Sequence, residues 1–191
     1  MKTTKILGYL GLMATVLVGL GEYNLHFSHE VINQADNYQF LKYVPKKNLF
    51  LGHFLAVIGL PFYFAGYFHI YRMLKSGNRI YATAVLFLGI VAFAVGGVWI
   101  GSRAFLGTIV HLQQDINTNT YQSILDSYTN LLEILVQALR IVMALLSVCF
   151  VVAVLKGNTY YKKWMAFFNP ITILITLLTT LLIPSFGKYI V

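Results

Sequence analysis

Five apolar runs, divided by tight polar links and by two longer polar stretches, set the plan of this chain. They cover about residues 5–22, 48–74, 80–102, 131–155 and 164–184. At about 1.5 Å per residue, a helix of some 20 residues crosses a hydrocarbon core of about 30 Å, so each run reads as a transmembrane helix. The first, ILGYLGLMATVLVGLG after Lys2 and Lys5, also has the outline of a secretory signal peptide. It lacks a small-x-small cleavage site and further spans follow, so a retained helix is expected. In the second run Gly52, Gly59 and Gly66 recur every seven residues, which leaves one helix side as bare backbone open to a close neighbour. Pro61 removes one internal hydrogen bond there and predicts a bend. The third run holds Gly97 and Gly101 as a GxxxG pair and stays mostly apolar through GSRAFLGTIV toward His111. Asn169-Pro170 and Pro184 predict irregularities at either end of the fifth. Segments 23–47 and 103–130 are predicted to lie outside the membrane, the second with some helix because 112–130 contains neither proline nor glycine. The expected fold class is all-α: one transmembrane domain, a polytopic helical bundle of about five spans.

Composition supports that class. With 58% hydrophobic and 10% charged residues, the chain has too little polar surface for a soluble domain. A net charge of +8 would suit nucleic acid. The basic residues, however, sit beside apolar spans and form no basic face or motif, so they report topology and no nucleic-acid partner is expected. If five spans alternate, Lys2, Lys5, Arg72, Lys75, Arg79, Lys156, Lys162 and Lys163 share one side, against Lys42, Lys46, Lys47 and Lys188 on the other. The positive-inside rule then places the N-terminus in the cytoplasm. All six acids and four histidines (His26, His29, His53 and His111) fall on the outer side. Cys149, the single cysteine, lies within a span and leaves no disulfide or multi-cysteine metal framework to build.

The fourth run carries the costliest residue. Glu133, Gln137 and Arg140 follow the i, i+4, i+7 stripe, and Ala144 and Ser147 continue it with small side chains, so the stripe is expected to face other helices. Burying the Arg140 guanidinium in lipid costs at least ~2.5 kcal/mol, which demands a partner, water or a ligand. Glu22 ends the first span, His53 opens the second and Arg103 ends the third, all toward the same side. These positions predict an outward-facing intramembrane polar pocket that binds a lipid headgroup, such as that of a phospholipid, or another small anionic ligand. Arg103 and Arg140 would be the anion contacts, since arginine forks suit phosphate and carboxylate, with Glu22, Glu133, Gln137 and His53 orienting them.

Several other chemistries are open at the same residues. Arg140 could pair with Glu133 or Glu22 to hold the bundle together, and Arg103 could snorkel to lipid phosphate. His53 or His111 could serve as general base of an intramembrane hydrolase or transferase. His53 and His111, with Glu22, Glu133 or Asp115, could hold a divalent metal, although the spacing matches no known ligand pattern. Haem is disfavoured as a cofactor: His53 and His69 are about 24 Å apart along one helix, leaving only His53 with His111. HFSHE at 26–30 is neither HExxH nor HxxEH and reads as a solvated loop. The polar face could also meet a helix of a partner membrane protein, which would make the chain an accessory subunit. Binding is expected over transport, because on the inner half only His69 stands out as ionisable. Tyr67, Tyr71, Tyr160, Tyr161 and Trp164 read as an interfacial belt.

KILGYLG at the start, Gly21-Glu22, IGLPFYFAGYFHIY in the second span and Gly96-Gly97 in the third resemble a bacterial family of small multi-pass membrane proteins that carries a domain-of-unknown-function label. The resemblance spans about the first 110 residues and implies a bacterial inner-membrane setting without an activity. It also implies a histidine shortly after the glycine pair, where this chain has Val98, Trp99 and Ile100, and a further C-terminal helix.

Overall fold

The computed structural model describes residues 2–26 and 38–181. Five α-helices make up nearly all of it: α1 (Lys2–His26), α2 (Lys46–Leu74), α3 (Arg79–Val110), α4 (Thr118–Lys156) and α5 (Pro170–Leu181). Two single 3-10 turns, Gln39–Tyr43 and Lys163–Phe167, precede α2 and α5. The helix ends follow local chemistry. Asn78 caps α3, its Oδ1 accepting from the backbone N–H of Ile80 and Tyr81 at 3.0 and 3.2 Å. Asn117 caps α4 through Asn119 N–H at 3.0 Å. Gly157, at φ 82, ends α4 where a side chain would be strained. The α2 helix runs unbroken through Pro61.

The first four helices are long and apolar enough to cross a membrane. The chain is thus an all-α membrane protein. The twelve residues of α5 reach about 18 Å, short of a full span, and residues 182–184 of the fifth apolar run lie outside the described residues.

Neighbours in sequence are neighbours in space, packed antiparallel. Lipid tails are as apolar as leucine and give spans little hydrophobic reason to associate, so close backbone approach has to supply the attraction. The heptad glycines do so. A Cβ at Gly11 would sit 2.8 Å from Gly66 Cα, one at Gly21 2.8 Å from the Gly52 carbonyl oxygen, and one at Gly59 2.6 Å from Val18 Cγ2. Between α2 and α3 the device is different: large α2 side chains fill glycine notches in α3. Leu60 sits against Gly97, His53 against Gly101 and Leu49 against Gly107. One core, around Tyr67, Leu74, Val85, Phe150 and Val154, lies at the basic-loop end; another, around Leu25, Leu49, Leu106, Tyr121 and Leu132, lies at the opposite, acidic end.

Two expected boundaries move. The segment 103–130 is mostly helical: α3 continues to Val110 and α4 begins at Thr118, leaving a turn of 111–117. Leu106 and Val110 are buried in the acidic-end core together with Leu49, Tyr121 and Leu125, so the apolar continuation past Arg103 has partners to pack on. The stretch before α2 is also less free than its polarity suggests, since Leu41 and Val44 are buried in that same core. Residues 27–37, with His29, Glu30 and Asp36, lie outside the described residues.

The seam is testable. Gly66→Ile should destabilise the protein by about 1–3 kcal/mol through overpacking against Gly11, read as a lower Tm in detergent. Gly19→Ala, where nothing lies within 4 Å, should leave Tm unchanged or slightly higher.

Candidate functional site

Glu22 and His26 are one turn apart on the last stretch of α1 and therefore share a face. That face meets Arg103, which α3 carries past the end of its expected span. Arg103 Nη2 donates to both Glu22 carboxylate oxygens, at 2.5 and 2.6 Å, and Nη1 donates to His26 Nε2 at 2.9 Å. A guanidinium can only donate, so His26 Nε2 accepts and its proton sits on Nδ1, which donates to the Glu22 backbone carbonyl at 3.0 Å. The flat face of the guanidinium lies 3.7 Å from the Trp99 ring centre. Phe40 stacks on His26 from the segment before α2, with centroids 5.5 Å apart and planes 12° from parallel.

Arg103 is 2% exposed, so its charge depends on this set. Of its nitrogens only Nε lacks a partner among the described residues. Arg103 already has its anion. The structure therefore joins two of the expected pocket residues, Glu22 and Arg103, but turns them on each other and adds His26, which the loop reading of 26–30 had set aside. The i, i+4 spacing of Glu22 and His26 was the available signal. Trp99, one of the three residues standing where the resemblance implies histidine, is the ring beneath the guanidinium.

Glu133, Gln137 and Arg140 do not join this clamp. All three are exposed, and none makes a hydrogen bond or ion pair among the described residues. They lie among the exposed apolar side chains of Ile134, Ile141, Leu145 and Val148, on a face that α4 leaves exposed. The expectation that the stripe faces other helices holds only lower down. Ser147 is buried and its Oγ accepts from Ile171 N–H at 3.3 Å, so α5 covers the stripe there, while Glu133, Gln137 and Arg140 are exposed. Depth separates the arginines as well. Lys156 donates to the Tyr81 hydroxyl at 3.2 Å, which sets the basic ends of α4 and α3 level. From that level Arg140 is about 24 Å and Arg103 about 33 Å along their helices. A single pocket holding both arginines is thus corrected to two separate features, a buried clamp and an open row.

The two histidines proposed as metal ligands also separate. His53 sits on a small apolar cleft of about 110 Å³ with Phe50, Ala104, Phe105 and Thr108. Its Nδ1 is buried without a partner among the described residues. The α3 residues it touches, Gly101 and Phe105, lie nearly opposite Arg103 around the helix, so His53 does not reach the clamp. His111 Nε2 donates to the Val44 carbonyl at 2.8 Å, pinning the segment before α2. Among the described residues no three histidine, cysteine or acidic side chains gather as metal ligands would.

A model of a family of unknown function, DUF6796, matches residues 1–189. The chain belongs to this family. The match runs well past residue 110, so it takes in α4 and its polar row as well as the clamp. No curated protein and no solved structure matches the chain. In this DUF6796 member a further cavity, of about 210 Å³, opens at the basic end between Tyr67, Val85, Leu146, Phe150, Tyr161 and Phe168. Burial pushes the Tyr161 hydroxyl up to about 12. His69 donates from Nδ1 to the Thr4 carbonyl at 2.7 Å, so the one ionisable group expected to stand out at this end ties α2 to the start of α1.

For the clamp, Glu22→Gln should cost about 3 kcal/mol of stability, because it strands a buried guanidinium. The double replacement Glu22→Leu with Arg103→Met should recover most of that loss. Denaturant unfolding in detergent micelles measures both.

Proposed function

We propose that this protein resides in the inner membrane of a bacterium, with its N-terminus in the cytoplasm, and binds the phosphate of a lipid headgroup on the outer-leaflet end of α4. The observation that carries this reading is Arg140: exposed, without a partner among the described residues, and set among apolar side chains. A guanidinium does not rest in acyl chains. Helix side chains lean toward the helix N-terminus, here the outer side, and an extended arginine gains roughly 6 Å that way. From a backbone height of about 24 Å its fork therefore arrives at about 30 Å, where the hydrocarbon ends and phosphates begin. Gln137, one turn above, adds a neutral donor at that level.

The orientation rests on the basic residues gathered at one end, and the bacterial setting on the resemblance carried by about the first 110 residues. Arg103 is not an anion contact in this reading, since Glu22 holds it. A second reading is favoured by Glu133, whose opposite sign on the same face would suit a polar helix of a partner membrane protein, making the chain an accessory subunit.

Native mass spectrometry of the purified protein tests the reading. Wild type should retain phospholipid, and Arg140→Gln should weaken that retention roughly tenfold, the effect of losing one charge-assisted contact. Unchanged retention would overturn the lipid reading. Loss of a membrane-protein complex on replacing Glu133, Gln137 and Arg140 together by leucine, with lipid retention unaltered, would install the partner reading instead.

A further inference from the structure

The phosphate reading leaves Glu133 unexplained, and an acid beside a phosphate site would be a liability for most anionic lipids. Its position resolves the conflict. On α4 the exposed polar order, from mid-membrane outward, is cation, amide, anion: Arg140, then Gln137, then Glu133. Measured from the same basic end, their backbones stand at about 24, 28 and 34 Å. The leaning Arg140 fork reaches about 30 Å, and Glu133, with its short side chain, presents its carboxylate a few ångströms above that.

A phosphoethanolamine headgroup has the complementary order: its phosphodiester lies at the glycerol and its primary ammonium two carbons further out, again a few ångströms away. We infer that the lipid recognised on this face is a zwitterionic aminophospholipid, its phosphate on Arg140 and Gln137 and its ammonium on Glu133. The inference rests on the phosphate reading of the same face and adds the identity of the headgroup.

Charge explains the selectivity. A lipid with a glycerol headgroup offers Arg140 the same phosphate but brings Glu133 no cation, so the carboxylate only repels it. A trimethylated headgroup brings a cation without N–H donors, so it cannot form the charge-assisted hydrogen bond. A primary ammonium supplies both.

The test is competition between lipids on the full-length protein, read by native mass spectrometry with phosphatidylethanolamine, phosphatidylglycerol and phosphatidylcholine of identical chains. Wild type should retain phosphatidylethanolamine about tenfold better than either competitor. Glu133→Gln should abolish that preference while leaving phosphatidylglycerol bound as well as before or better. Arg140→Gln should weaken all three, and Arg140→Lys, which keeps the charge, should restore part of the binding; a Tm near that of wild type identifies the variants that fold. Chain-free glycerophosphoethanolamine should compete weakly, and strong competition would reassign the site to a soluble ligand. An unchanged preference in Glu133→Gln, or wild-type preference for phosphatidylglycerol, overturns the headgroup inference while the phosphate reading stands. Indifference of every lipid to Arg140→Gln overturns both. A dimer that disappears in Glu133→Gln, with no lipid selectivity, hands the face to a second copy of the chain.

Discussion

The ion pair between Glu22 and Arg103 is the contact on which the acidic end of the molecule depends. It joins the first helix to the third, two helices that otherwise meet little, and through His26 and Phe40 it reaches the segment that leads into α2. A guanidinium that is 2% exposed cannot rely on water, so a carboxylate, an imidazole nitrogen and an indole face together replace its hydration. The His111 to Val44 bond fastens the same segment from the far end of α3. Three of the polar residues that looked like chemistry are thus engaged in holding helices and a cap in register.

With Arg103 held by Glu22, Arg140 is left within α4 without a partner among the described residues. The two differ in what covers them. Arg103 has α1 on one side and Trp99 beneath it, whereas α5 packs on the polar stripe of α4 at Ser147 and Arg140 is exposed. A membrane helix keeps an exposed charge only where the headgroups, water or another protein can receive it. The first of these is the partner proposed above for Arg140. Glu133, higher on the same face, makes the identity of the headgroup a question with a definite answer. Membership of a family of unknown function adds no activity to this reading, and it places both the clamp and the row within one matched unit.

Much of the architecture was legible from one-dimensional pattern. Apolar run lengths compare directly with bilayer thickness, so four long spans followed from composition and rise per residue. The spacing of Gly52, Gly59 and Gly66 likewise announced a close seam, because helical periodicity alone puts them on one side, and α1 does approach there. How far α3 and α4 extend as unbroken helix was not legible, since polarity along 103–130 does not say where a helix ends. Amphipathic helix continues beyond the hydrocarbon wherever, as at Leu106, Val110, Tyr121 and Leu125, there is a core for its apolar side.

Which arginine is buried could not be read from the chain. Helical spacing told correctly that Glu133, Gln137 and Arg140 share a face, yet the direction of that face depends on which neighbour packs where along α4. Pairing Glu22 with Arg103, 81 positions apart, required α1 and α3 to bring them to the same height on matching faces. Sequence by itself determined the helices, their order and the side on which the ionisable groups collect, because those follow from local periodicity and transfer energy. Only the tertiary packing decided which charges meet each other and which are left exposed, because that is set by helix rotation and relative height, quantities that no single segment contains.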